Sequence, residues 1–233
     1  MLTLHRAALL LPDPADPTAP SLADGAVLVR DGRIAALGRY AEQAAGHPEA
    51  RLRDWGEALL TPGLLNPAGH WLLEHAYHPD PREEIGDAPV PGGLSAADDA
   101  TRCGASARRG LQRMLGFGVT AVAGPFERAA VRTAVTRSGL TALPGPSGAA
   151  CESCASGVPG AVGAAGPLDP LAVRPLAAAV HGRLTVGGPA DFAVFAPLPA
   201  AGAEAAAPAG HPAPRPGGSL ATVLAGRLVH RRR

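Results

Sequence analysis

The chain has 233 residues, of which 46% are hydrophobic but only 3% aromatic, and its net charge is +1. That balance excludes the basic, ring-bearing face of a nucleic-acid binder, and apolar runs such as Ala7 to Leu11 are far too short to cross a bilayer. All 21 basic residues are arginine, which excludes a P-loop lysine, a Schiff-base lysine and a carbamylated-lysine metal bridge. Much of the apolar fraction is alanine, so a modest core is expected, because large side chains supply most burial energy. The 30 glycines and 25 prolines predict irregular segments. The opening residues hold no apolar stretch followed by a small-residue cleavage site, so the expected location is the cytoplasm.

Residues 1–11 alternate weakly and read as a first strand, followed by a proline-rich loop from Pro12 to Pro20. Two apolar runs, Gly25–Arg30 and Arg33–Gly38, flank Asp31-Gly32. That pattern predicts a hairpin with a type I′ turn, since aspartate and glycine tolerate the positive φ it requires. Tyr40 to Ala45 reads as a short helical piece. Arg51 to Leu60 reads as one strand, closed by a Pro62-Gly63 turn. A short helix is expected from Trp71 to Tyr77, stopped by Pro79, and then polar loop to Gly93. Ser95, with Asp98 three residues on, predicts the N-cap of a helix running to about Leu115. Val119–Ala123 is a short strand, Glu127–Ser138 a helix ended by Gly139, and Leu140–Leu143 another strand.

The stretch from Pro144 to Gly166 is rich in Gly, Ala, Ser and Pro and is expected to be poorly ordered, as is the Ala/Pro loop 197–218. Leu171–Val180 reads as a short helix. Leu184–Val186 and Asp191–Phe195 read as strands joined at Gly187-Gly188. A hairpin turning at Ala225-Gly226 closes the reading at Leu220–Val229. Cys151-x-x-Cys154 lies in the Gly/Ala-rich loop. It reads as two loop cysteines, with a labile disulfide or a metal contact as the alternative, because a zinc ribbon needs a second pair or spaced histidines. No Gly-x-Ser-x-Gly elbow, dinucleotide-type Gly-x-Gly-x-x-Gly or EF-hand loop is present.

Three blocks in order carry a family resemblance. They are DGAVLVRDGRIAALGRY followed by LLTPGLLN; LQRMLGFGVTAVAG followed by AVRTAVTRSGLTAL; and HGRLTVGGPADFAVFAP with VLAGRLVHRRR. Together they resemble amidohydrolase-superfamily enzymes of the imidazolonepropionase and aminodeoxyfutalosine deaminase type. The resemblance implies an α+β fold in which both chain ends build one small composite β-sandwich around a (β/α) barrel. Only residues 66–180 separate the two halves here, too few for a closed eight-stranded barrel. The expected organisation is therefore 1–65 as the N-terminal part of the sandwich and 66–143 as a partial barrel of two or three βα units. Residues 144–180 are then a partly disordered Gly/Ala/Pro-rich segment, and 181–233 the C-terminal part of the sandwich.

In the resembled enzymes a Pro-Gly turn leads into a strand ending in His-x-His. Side chains two apart on a strand point the same way, so both imidazoles reach one metal, which generates a hydroxide that attacks a C–N centre. In Thr61–His70 the first histidine position holds Ala68 and the second holds His70. One ligand falls short of the three a catalytic zinc usually takes. His70, Glu74 and His78 lie at i, i+4 and i+8, with His75 adjacent, and on one helix the three would share a face able to chelate a metal. Pro62, Gly63 and Asn66 are expected to be structural. So is Asp191, which matches a family position implied to bond backbone at a sandwich turn. No catalytic residue and no cofactor is expected, the alternative being zinc or iron at a rebuilt C–N hydrolase site. The implied partners are a full-length amidohydrolase or a second copy of the chain.

Overall fold

A computed structural model describes residues 1–95, 97–145, 168–196 and 214–232. The N-terminal strands are β1 (Leu2–Leu10), β2 (Leu22–Arg30), β3 (Arg33–Arg39), β4 (Arg51–Asp54) and β5 (Leu59–Pro62), with helix α1 (Tyr40–Gly46) after β3. The Asp31-Gly32 turn forms as the sequence predicts: Arg30 faces Arg33, and both turn residues take positive φ, 52° and 81°. The stretch 51–60 is not one strand. It breaks after Asp54, whose Oδ1 accepts the Gly56 N–H at 2.8 Å, and β4 and β5 then pair in parallel with successive parts of β1.

The C-terminal strands β9 (Phe192–Phe195), β10 (Ser219–Leu224) and β11 (Arg227–Arg231) complete the same sheet. Its order is β11-β10-β9-β5-β1-β2-β3, with β4 also on β1, so the seam between the two ends is the antiparallel pair β5–β9. Leu59 faces Phe195 there and Pro62 faces Phe192. Alternation divides the buried side chains between two faces. Leu60, Phe192 and Val194 join Leu10, Val27, Val29 and Val223 in one core. Leu59, Ala193 and Phe195 face the other, larger core. The predicted strand Leu184–Val186 is absent. Its backbone is used as a strap, with Leu184 N–H on Pro12 O and Gly187 N–H on Ile34 O, and so is unavailable to a ladder.

Between the two ends lies a second sheet, three strands in parallel: β6 (Leu64–Asn66), β7 (Val119–Ala123) and β8 (Thr141–Leu143). Helix α2 (Gly69–Glu74) follows β6, α3 (Ala100–Gly116) leads into β7, and α4 (Ala129–Ser138) joins β7 to β8. The cap of α3 is Asp99, which accepts the Arg102 N–H at 2.7 Å. Ser95 instead closes a turn one step earlier by bonding Asp98. Two adjacent aspartates made the sequence signal ambiguous by one turn. Leu111, Met114 and Leu115 of α3 pack with Val131, Ala134 and Val135 of α4 over β6 and β7.

Residues 168–180 belong to this core rather than to a loose linker. Leu168, Leu171 and Leu176 are buried, and Asn66 Nδ2 donates to Leu168 O. The expected single helix is two short pieces, a 3₁₀ turn Pro170–Ala172 and α5 (Leu176–Ala179), because Pro175 disfavours helical backbone before it. The observed class is α+β, as the resemblance implied.

Candidate functional site

The three parallel strands end together, and the crevice beyond their carboxyl ends is where open α/β sheets place their ligands. Asn66 closes β6 there. It is fully buried, and its Oδ1 accepts the Ala68 N–H at 3.0 Å, turning the chain sharply. The strand therefore stops before the histidine motif begins. Ala68 sits in the turn (φ −93°, ψ 14°), and Gly69 opens α2 pressed on β7, where a Cβ would lie 2.9 Å from that of Val122. The strand geometry expected to aim positions 68 and 70 at one point does not form. Two residues apart on a helix start, they diverge by roughly 200°.

His70 is half-buried on α2, and its imidazole is shifted below its usual range by burial first, then by His75, against a smaller opposing effect of Glu74. Helix α2 ends at Glu74. The common face proposed for His70, Glu74 and His78 is therefore not built, because Tyr77 leaves the helix to pair with Val90 through two backbone bonds of 2.9 and 2.8 Å. His75 is exposed. His78 is fully buried and turned toward the helix: its Nε2–H donates to Leu72 O at 2.9 Å, and its backbone N–H donates to Ser106 Oγ at 2.9 Å. Burial pushes its imidazole down to about 4. Among the described residues no three of His, Cys, Asp or Glu gather as a metal set.

Glu74 is buried, and its carboxylate accepts the backbone N–H of Arg128, the cap residue of α4, at 2.8 Å. The negative charge sits at the positive end of that helix. Arg128 in turn places Nη1 2.9 Å from Cys103 Sγ, and Cys103 is buried in α3. Glu74 thus ties α2 to α3 and α4. Replacing it by alanine strands a part-buried N–H donor, with an expected loss of about 1 kcal/mol or more, whereas Glu74→Gln keeps an acceptor. Urea unfolding of the two variants measures the difference, and equal midpoints would refute this role.

Asp169 is the residue that sequence reasoning missed. It is 1% exposed, accepts the Leu171 and Gly217 N–H groups at 2.9 and 2.6 Å, and has its carboxyl pushed up by burial. Its neighbour Leu168 is the Asn66 partner, so a buried carboxylate stands one residue from the end of β6. The available signal was Asp-Pro at a turn start, masked by the Ala/Pro-rich surroundings.

The remaining expected positions lie at the seam. Pro62 ends β5. Gly63 joins the two sheets, donating to Asp191 O and accepting from His181 N–H. Asp191 Oδ1 accepts the Ala225 N–H at 2.6 Å. Cys151 and Cys154 lie outside the described residues.

No family model matches the chain. Among curated proteins, imidazolonepropionase of Pyrobaculum arsenaticum is 45% identical over 50 residues, covering 22% of this chain and 13% of that protein. The 5-methylthioadenosine/S-adenosylhomocysteine deaminase of Nitratidesulfovibrio vulgaris is 32% identical over 101 residues, covering 36% of this chain and 23% of that protein. The matched stretch thus spans less than a quarter of either relative. Guanine deaminase from Bradyrhizobium japonicum overlaps 61% of this chain and 34% of its own, with 18% identity and a TM-score of 0.46, too low to carry a functional argument. Over these stretches the chain is similar to imidazolonepropionases and to a deaminase, in line with the amidohydrolase-superfamily resemblance of its sequence blocks.

Proposed function

We propose that this protein binds rather than hydrolyses, and that it serves as an accessory partner to a full-length amidohydrolase or to a second copy of itself. The observation that carries the reading is the rim of the parallel sheet, where position 68 is alanine and the turn after Asn66 ends the strand before positions 68 and 70 could face one point. A metal-bound hydroxide needs about three protein ligands to hold the ion. In this reading the eight-stranded sheet is the family's composite sandwich, formed by 1–65 and 181–233, and 66–143 is the partial barrel. Cytoplasm is the proposed location; among the described residues no helix is long and apolar enough to cross a membrane.

Metal analysis of protein purified without chelator tests it, together with ammonia release from aminopurine and cyclic-amide substrates. The expected result is far less than one zinc or iron per chain and no release. Near-stoichiometric metal that His70→Ala abolishes would overturn the reading. It would favour the second one, a C–N hydrolase completed by another chain. One observation supports that alternative: among the described residues β8 has a strand neighbour on one side only.

A further inference from the structure

A groove of about 320 Å³ lies on the opposite side of the composite sheet, where the outer edge of β4 approaches β11. It is lined by Arg51, Leu52, Arg53, Asp54 and Trp55 from one side and by Leu228 and Arg231 from the other. Strand geometry explains the convergence. Arg51 and Arg53 are two apart on β4 and share a face. On β11, Leu228 and Arg231 are three apart and would normally diverge. However, the ladder pairs Thr222 with His230 and Val223 with Leu228, so Val229 is the extra residue of a bulge. A bulge re-aims the side chains beyond it, and Arg231 comes round beside Leu228.

Three arginines and one carboxylate line the groove. Asp54 is engaged elsewhere, its Oδ2 receiving Arg6 Nη1 at 2.9 Å and its Oδ1 the Gly56 N–H. Among the described residues none of the three groove arginines forms an ion pair. Among the described residues Arg53 Nη1 is buried without a hydrogen-bond partner. Trp55 is held in place behind it by donating to His5 Nδ1 at 3.4 Å, and the Arg231 guanidinium lies 5.8 Å from its ring centre. Planar guanidinium groups suit phosphate oxygens, which they bind in bidentate fashion, and the indole and Leu228 offer an apolar wall.

We propose that this groove binds a small phosphate monoester with a flat apolar body, its phosphate on Arg53 and Arg231 and its body against Trp55 and Leu228. The volume lies within the range of small-ligand sites. None of its lining residues comes from α2, and it does not depend on the reading of the strand rim.

Phenyl phosphate is the probe, with inorganic phosphate and benzoate as separate arms, at constant ionic strength and with the Trp55 indole N–H resonance as readout. Saturable binding of phenyl phosphate is expected, with the two simpler anions at least about threefold weaker. Arg53→Gln and Arg231→Gln should each weaken binding about tenfold, the scale of a lost charged hydrogen bond, while exposed Arg137→Gln on α4 changes nothing. Circular dichroism of each variant separates lost binding from lost folding. No saturable shift, or equal affinity in wild type, Arg53→Gln and Arg231→Gln, would overturn the site. Equal binding of benzoate would overturn the phosphate assignment.

Discussion

Lowering the pH from 7 to 4.5 is expected to remove much of the stability of this protein, by several kcal/mol. Two fully buried histidines are responsible. His5 is held down to about 3, first by burial and then by the charge of Arg53, and His78 to about 4, first by burial. Both folded values lie below the unfolded value near 6.5. The stabilisation is therefore complete above pH 6.5, where both states are neutral. It is lost as pH falls from 6.5 toward 4 and then 3, because the unfolded chain takes up protons that the folded chain refuses. By pH 4.5 each group has lost on the order of 3 kcal/mol, against a typical total of about 5–15 kcal/mol. His70 and His230, also lowered by burial, act in the same direction, while Asp169, whose carboxyl is raised, offsets part of the loss.

The geometry explains why the protons are refused. With Nε2–H of His78 committed to Leu72 O, a second proton must go on Nδ1, which is buried and has no acceptor among the described residues. Urea midpoints measured at pH 7.5, 6.0 and 5.0 should fall steadily in the wild type. His78→Gln, which keeps a donor but cannot titrate, should show a shallower fall. Midpoints that do not move with pH would contradict this account.

The second large effect is expected at the junction of the two sheets. Gly63→Ala should cost roughly 3 kcal/mol or more and leave little soluble protein, because a Cβ there would lie 2.1 Å from both Thr120 Cγ2 and Thr120 Oγ1. Thr120 is fully inside β7 and cannot swing away, and the backbone of Gly63 is fixed on one side by Asp191 O and on the other by His181 N–H. Gly46→Ala is the control, since nothing lies within 4 Å of a Cβ at that position. Thr120→Gly should partly rescue Gly63→Ala, giving strong non-additivity in a double-mutant cycle. Additive losses would mean that the clash is not the cause.

How far the sequence revealed this molecule depended on the range of the interaction. Asp31-Gly32 specifies its own turn through two φ angles, and it was readable. The order of the blocks around 25–65, 111–124 and 181–197 pointed to a composite of both ends, and β5–β9 is that seam. Ser95 and Asp99 competed for one cap, and only packing of α3 against α4 decides between them. The face through His70, Glu74 and His78 rested on a helix that two backbone bonds between Tyr77 and Val90 cut short. Asp169 was hidden because its partner Gly217 lies 48 residues away, across a monotonous stretch. The arginine groove was invisible for the same reason: it needs β4 and β11 side by side, and a bulge to turn Arg231.

The seam also dictates an order of events during synthesis. Hairpin β1–β2–β3 can form as soon as it leaves the ribosome, and β4 and β5 can join it locally. The edge of β5 must then wait until residues 192–195 emerge, about 130 residues later. Over that interval one edge of the strand carrying Leu59, Leu60 and Thr61 is open, at the stage when exposed apolar edges invite wrong partners. Contacts this distant in the chain also slow the final closure. Yield in the cell should therefore depend on chaperone supply during translation, even though the finished sheet leaves neither β5 nor β9 exposed.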